Sequence, residues 1–132
     1  MEIIILLSMI FLHIVDDFYL QGPLAKFKQK TFWDEYMKDG YTRELYKYDW
    51  FISLLLHAFS WTFSIHIPIF IAYYSKLNSV ILIIEFIITM IIHAFIDNLK
   101  ANRKAIGLLT DQVFHLIQII IIFIIYIALG GI

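Results

Sequence analysis

Apolar residues are concentrated in four long blocks, at about residues 3–20, 50–74, 79–98 and 106–129. Each block has about 18–25 residues, which as a helix is enough to cross the roughly 30 Å hydrocarbon core of a bilayer. No block alternates apolar and polar residues as a strand does, and a span in lipid must satisfy its own backbone hydrogen bonds. The pattern therefore predicts an all-α membrane protein with four transmembrane helices, in a single domain of residues 1–132.

The segment between the first two blocks, residues 21–49, is mixed in character. It interleaves lysines with large apolar side chains such as Leu24, Phe27 and Trp33, a composition typical of an amphipathic helix lying at the lipid headgroups. Two interpretations remain open for this cytoplasmic amphipathic segment. It is either an interfacial anchor or a lid over polar residues at the membrane surface.

Composition agrees with this class and excludes several others. The chain is 61% hydrophobic, against 45–50% apolar residues in typical soluble domains. Its net charge of −1 gives no sign of a nucleic-acid partner, and with no cysteine it has neither disulfides nor thiolate metal ligands. The first block has no basic residues before it and no A-x-A site after it, so a cleaved signal peptide is not expected. The expected partner is the lipid bilayer. A homo-oligomer is also open, although no GxxxG face marks where copies would meet.

Lysine and arginine predict the orientation. Of the ten basic residues, six lie between the first and second blocks, three lie between the third and fourth, and Lys76 lies on the other side. Because cytoplasmic loops carry the excess of basic residues, the first two groups should face the cytoplasm. The chain is then a multi-pass protein of the inner (cell) membrane with both termini outside the cytoplasm.

Histidine and aspartate recur at the predicted cytoplasmic ends of the blocks. Three pairs have a spacing of four residues, which places both side chains on one face of a helix. A lone histidine more often packs through hydrogen bonds, and Asp111 beside Thr110 can cap a helix, but capping does not explain seven groups at one depth. Ionisable groups inside spans are costly and usually functional. The predicted metal ligands are His13, Asp17, His57, His93, Asp97, Asp111 and His115.

Imidazole and carboxylate ligands suit zinc, manganese, iron or cobalt. The expected cofactor is a divalent metal, zinc or manganese first. The number of bound ions has two possible values. A single ion would be surrounded by ligands and by residues that orient those ligands, and two ions would share a bridging carboxylate. Asp16 is a rival for Asp17, which is preferred because it repeats the i+4 spacing. His66 and Glu85 lie deeper, and we expect them to hydrogen-bond to each other as a structural link; a proton path is the alternative.

The stretches HIVDDFYLQ, HAFIDNLK and DQVFH resemble the motifs H-x3-D-F-x-x-Q, H-x3-D-x-x-K and D-Q-x-x-H. These belong to a bacterial and phage integral-membrane family described only as a domain of unknown function, and the resemblance covers most of the chain. The layout also resembles, more loosely, small bacterial inner-membrane metal-dependent hydrolases. That resemblance implies metal or catalytic roles for the three spaced pairs. The H-E-x-x-H motif of zinc proteases is absent.

The leading function is therefore a metal-dependent hydrolase that opens to the cytoplasmic leaflet, with a phosphoester or lipid headgroup as the anionic substrate. A spare carboxylate, Asp16 or Asp111, would act as general base, and Lys100 is a further catalytic candidate. The expected substrate contacts are Gln21, Lys28, Lys30, Asn102, Arg103 and Gln112. One alternative is a transporter or channel for divalent cations or protons. Another is a phage-encoded protein that interacts with the host membrane.

Overall fold

The computed structural model describes residues 1–73, 75–76 and 78–130, and the regular structure within them is helical. One π turn, Asp16–Leu20, continues the first helix. The α-helices are α1 (Glu2–Val15), α2 (Leu24–Phe27), α3 (Lys30–Tyr36), α4 (Gly40–Tyr46), α5 (Asp49–Tyr73), α6 (Ser79–Ala101) and α7 (Leu108–Gly130).

Four helical stretches are long and apolar enough to cross a membrane, which confirms the predicted all-α class. They are Glu2–Leu20, Gly40–Tyr73, Ser79–Ala101 and Leu108–Ala128. The second begins earlier than predicted because α4 leads almost directly into α5. Its predicted last residue, Tyr74, lies outside the described residues.

α5 is the central helix of the bundle. Its side chains Trp61, Ile65 and Ile69 are fully buried in a core that α1 and α7 complete. A smaller cluster, which includes Ala58 of α5 and Ala94 of α6, joins α5 to α6. These small side chains let two backbones approach closely, as is common between membrane helices.

The outer faces of the four spans are strongly apolar. Isoleucines such as Ile71, Ile91 and Ile124 are more than half exposed. This much exposed hydrocarbon would be a liability in water, whereas in a bilayer the lipid tails cover it. The buried polar residues consequently stand out as the unusual feature of the interior.

Residues 21–49, which the sequence predicts as an amphipathic segment, contain three short helices. The segment has its own aromatic core, in which the Trp33 indole donates to the Phe27 carbonyl at 2.7 Å and stacks on Tyr46. Asp39 caps α4 by accepting from the Thr42 backbone N–H at 2.8 Å. That hydrogen bond lowers the pKa of Asp39, because it favours the charged carboxylate.

Asn102, at the end of α6, ties this segment to the bundle. Its side-chain oxygen accepts from the Lys30 backbone N–H at 2.6 Å, and its amide donates to the Lys28 carbonyl at 3.1 Å. The α2–α3 junction is thereby held against the end of the bundle where α6 finishes and α7 begins. We call this end, where Asp17, Asp97 and Asp111 lie, the site end.

Candidate metal centre

The structure brings all seven predicted ligands into one buried cluster at the site end. None is more than 4% exposed. α1 and its π turn, α5, α6 and α7 each contribute at least one histidine or aspartate. The π turn closes through the Gln21 N–H, which donates to the Asp16 carbonyl at 3.0 Å. This wide turn buries Asp16 and Asp17 together, and π turns of this kind recur at functional sites.

The Nε2 atom of His57 lies at the centre of the cluster. It is 3.3 Å from Asp17 Oδ1, 3.2 Å from Asp97 Oδ2 and 3.3 Å from His93 Nε2. In a tetrahedral zinc site with bonds of about 2.0–2.1 Å, neighbouring ligand atoms are about 3.3 Å apart. The separations from His57 therefore match the edge of a zinc coordination shell.

Three overlapping groups in the described residues have ligand atoms within 4.8 Å of one another, and each could hold a metal ion. They are Asp17–His57–His93, His93–Asp97–His115 and Asp17–Asp111–His115. The first and third share Asp17, whose carboxylate can bridge two ions. His115 Nε2 lies 3.4 Å from both Asp97 Oδ1 and Asp111 Oδ1.

Several of these ligand atoms are buried without a hydrogen-bond partner. Within the described part of the chain this holds for Oδ1 of Asp17, Asp97 and Asp111, and for Nε2 of His115. A buried polar atom without a partner costs about 1–3 kcal/mol. Each of these atoms belongs to one of the three ligand groups and fits a bound cation, which would satisfy the members of its own group.

His13 is placed differently from the prediction, as neither ring nitrogen is available to an ion. The Trp61 indole N–H donates to His13 Nδ1 at 2.7 Å, so the proton of the neutral ring is on Nε2. His13 Nε2 then donates to Gln112 Oε1 at 3.1 Å. Accordingly, His13 is in none of the three ligand groups.

Gln112 transmits this orientation to two aspartates. With its oxygen facing His13, its amide N–H groups donate to Asp17 Oδ2 at 2.9 Å and Asp111 Oδ2 at 3.1 Å. Each carboxylate is thus held by one oxygen and presents the other, Oδ1, to the cluster. Gln112 is a bridge inside the site, which fits the role of orienting ligands better than that of contacting a substrate.

Asp16 has a similar supporting position behind His57. Its Oδ1 accepts from the hydroxyls of Ser60 at 2.7 Å and Ser64 at 3.2 Å. Its Oδ2 is 3.8 Å from His57 Nδ1, the ring nitrogen that faces away from the cluster. A carboxylate behind a ligating imidazole fixes the ring orientation, so the geometry does not favour Asp16 as the general base.

Two lysines close the cluster. Lys28, on the segment between α2 and α3, is 4% exposed, and its ammonium lies 2.5 Å from Asp97 Oδ2. Lys100 pairs with Asp111 Oδ2. Counting the four aspartates as carboxylates and the two lysines as ammonium groups, the site carries two net negative charges when its imidazoles are neutral. One divalent cation balances that charge.

The other predicted substrate contacts lie outside the cluster or have structural partners. Lys30 and Arg103 are exposed. Asn102 is occupied in holding the α2–α3 junction. Gln21 donates to the backbone carbonyl of Asp17, one turn earlier. Apart from the aspartates, seven residues are predicted as catalytic residues or substrate contacts. Within the described residues, three of these seven reach the cluster: Lys28, Lys100 and Gln112.

His66 and Glu85 form a second polar network deeper in the bundle, which confirms their predicted contact. His66 Nε2 lies 2.7 Å from Glu85 Oε2, and the other ring nitrogen donates to the Thr62 carbonyl at 2.7 Å. Thr89 and Tyr126 also donate to the Glu85 carboxylate. The network joins α5, α6 and α7 and has a structural explanation.

Sequence reasoning missed Trp61, Ser60 and Ser64. Trp61 both orients His13 and stacks on His93, with ring centroids 4.0 Å apart. The positions of Ser60, Trp61 and Ser64 in α5 give the one usable sequence signal, since residues 57, 60, 61 and 64 lie on one helical face.

Comparisons with protein-family models, with curated proteins and with solved structures find no match to this chain.

Proposed function

We propose that this chain is an integral-membrane metal-dependent hydrolase that acts on a phosphoester or a phosphate-bearing lipid headgroup. The observation that carries the proposal is the convergence of three ligand groups, from four helices, on one buried cluster. Carboxylates and neutral imidazoles suit zinc or manganese. The separations of about 3.3 Å around His57 favour zinc, and the charge balance favours one divalent ion.

We also propose that the site end faces the cytoplasm, with both termini on the other side. Nine of the ten basic residues flank this end, in residues 21–49, in the last turn of α6 and in the link between α6 and α7. Positive loops remain cytoplasmic in multi-pass proteins of the inner membrane. This orientation would give the site access to phosphates from the cytoplasm and the inner leaflet.

Each part of the cluster has a chemical role in this proposal. Asp17, His57 and His93 would hold the ion, and a bound divalent ion would supply the positive charge that polarises a phosphoryl group and activates water. Asp111 accepts the proton of the attacking water at Oδ1, because Lys100 and Gln112 occupy Oδ2. The water oxygen bonds to phosphorus, the phosphorus–oxygen bond to the alcohol breaks, and Asp111 returns the proton to the leaving alcohol. Lys28 and Lys100 offer positive charge to the phosphate.

Transport of divalent cations or protons is the rival function. A transport pathway needs polar groups that continue across the membrane. In the described part of the spans, the half away from the site end has the His66–Glu85 network, and its members bond to one another. Because this deeper network bonds within itself and has a structural explanation, the arrangement favours a hydrolase over a transporter.

Metal analysis of purified protein provides the first test. We expect about one zinc or manganese ion per wild-type chain and loss of that ion in His93→Ala and His57→Ala. His66→Ala is the matched control, since His66 is equally buried in α5 but belongs to the second network. Wild-type protein with metal should hydrolyse a soluble phosphodiester, and a metal chelator should stop it. Equal metal content in all three variants would reject the site, and bound metal without hydrolysis of any phosphoester would reject the reaction.

A further inference from the structure

A long groove runs between α6 and α7 on the outside of the bundle. Its volume is about 510 Å³. Ten of its thirteen lining residues are isoleucine or phenylalanine. On α6 the lining extends from Ile81 to Ile96, which at 1.5 Å per residue is about 22 Å along the helix. The groove therefore has the length and the mostly apolar lining that suit a single extended hydrocarbon chain, with Glu85, Thr89 and Gln118 as its polar lining residues.

One end of this groove lies at the same depth along the helices as the candidate metal centre. Its lining residues Ile96 and Phe114 directly precede Asp97 and His115, two members of the ligand groups. Lys28 and Lys100 lie at the same end and are paired with carboxylates of the cluster. With a divalent ion on those carboxylates, the two ammonium groups and the other basic residues that flank the site end would leave positive charge where the apolar groove ends, which suits a lipid with an anionic headgroup.

We propose that the α6–α7 groove binds the hydrocarbon chain of an anionic phospholipid, whose phosphate lies at Lys28 and Lys100. Describing this lipid as the substrate rests on the hydrolase function proposed above. A chain in the groove would bury apolar surface against isoleucines, and the headgroup charge would fix its direction. The site would then act on a phosphate that is attached to a long chain in the inner leaflet.

A photoactivatable phosphatidic acid with a diazirine in its acyl chain tests the groove without requiring hydrolysis. The full chain is reconstituted in phosphatidylcholine vesicles with a trace of the probe, and labelled peptides are located by mass spectrometry. We expect labelling to concentrate on the groove faces of α6 and α7. A phosphatidylcholine probe with the same diazirine should show no such preference, since its headgroup has no net charge.

Two adjacent isoleucines of α6 provide matched variants. Ile88 lines the groove and Ile87 does not, and they are 52% and 46% exposed. Ile88→Trp should lower groove labelling by about tenfold, the change expected when roughly two methylene groups of the chain lose apolar contact. Ile87→Trp should leave it unchanged. Equal effects of the two variants, even labelling of all lipid-facing helices, or crosslinks from the groove to a second copy of the chain would overturn the proposal.

Turnover separates this proposal from the hydrolase function. With metal bound, Ile88→Trp should slow hydrolysis of phosphatidic acid and leave hydrolysis of a soluble phosphomonoester unchanged. If neither compound is hydrolysed while groove labelling persists, the hydrolase function fails and the lipid site stands. If both are hydrolysed and both variants turn over phosphatidic acid like wild type, the groove is not the chain-binding site.

Discussion

Lys28→Met tests whether the segment of residues 21–49 contributes a buried charge to the site. The substitution keeps most of the side-chain length and removes the ammonium that lies 2.5 Å from Asp97. Both side chains are almost completely buried, at 5% and 0% exposed. Removing one partner of a buried ion pair leaves the other uncompensated and costs about 3–5 kcal/mol. We expect a loss of that size in the free energy of unfolding when a chelator is present.

Zinc should reduce this loss, because an ion beside His57 also compensates Asp97. A zinc concentration of about 100 times the wild-type dissociation constant stabilises wild type by about 2.7 kcal/mol. At the same concentration the variant should gain more, because without the Lys28 ammonium it binds zinc more tightly. Unfolding is followed by circular dichroism in mixed detergent micelles as the denaturing detergent is increased. Lys28→Arg, which keeps the charge, should recover part of the stability.

Lys47→Met is the control for the loss of a lysine pair. Lys47 bonds to Glu44, but the two side chains are 42% and 75% exposed. Exposed ion pairs contribute little because water screens them, so this variant should unfold like wild type. A loss below about 1 kcal/mol for Lys28→Met in chelator would refute the buried pair. A loss that zinc leaves unchanged would refute the link between Lys28 and the metal centre.

Three further outcomes follow from the geometry. Gln112→Leu removes the amide that holds Oδ2 of Asp17 and Asp111, so zinc affinity measured by calorimetry should fall about 10–100-fold, the usual effect of losing a supporting group; unchanged affinity would exclude the bridge. Asp16→Asn should weaken zinc binding to a similar degree, whereas Asp17→Asn should abolish it. If Asp16→Asn abolishes zinc binding and Asp17→Asn only weakens it, Asp16 is the ligand and Asp17 the supporting residue. A reporter that is active only in the cytoplasm should be inactive at either terminus, and activity at the C-terminus would reject the proposed orientation.

The spans and the depth of the cluster could be predicted because they depend on the length of apolar blocks and on residue spacing, which keep their meaning in the folded helix. Apolar block length corresponds to bilayer thickness, and the i+4 spacing holds along any regular helix. The turn after α1 breaks this regularity. Its π geometry buries both Asp16 and Asp17, whereas regular spacing indicated a choice between them. No turn residue in the sequence marks that geometry in advance.

The role of His13 was not predictable for a different reason. Its spacing from Asp17 equals that of His93 from Asp97, yet His93 faces His57 while His13 lies between Trp61 and Gln112. The partner of a histidine is decided by how neighbouring helices pack. The spacing of residues in the sequence identifies the helical face on which a ligand lies. It does not identify which side chain of a neighbouring helix contacts that ligand.

The position of Lys28 connects the candidate metal centre to residues 21–49. Asp97 Oδ2 faces both the Lys28 ammonium and His57 Nε2, so an ion at His57 and the ammonium would compete for one carboxylate oxygen. The ion and the ammonium would then be two positive charges beside one oxygen atom, and at such a short distance they repel each other strongly in a buried site. A bound ion should therefore weaken the contact that holds Lys28, and with it the α2–α3 junction, against the site end. The freed ammonium would then be available to an incoming phosphate, which favours the lid interpretation of residues 21–49 over a passive anchor.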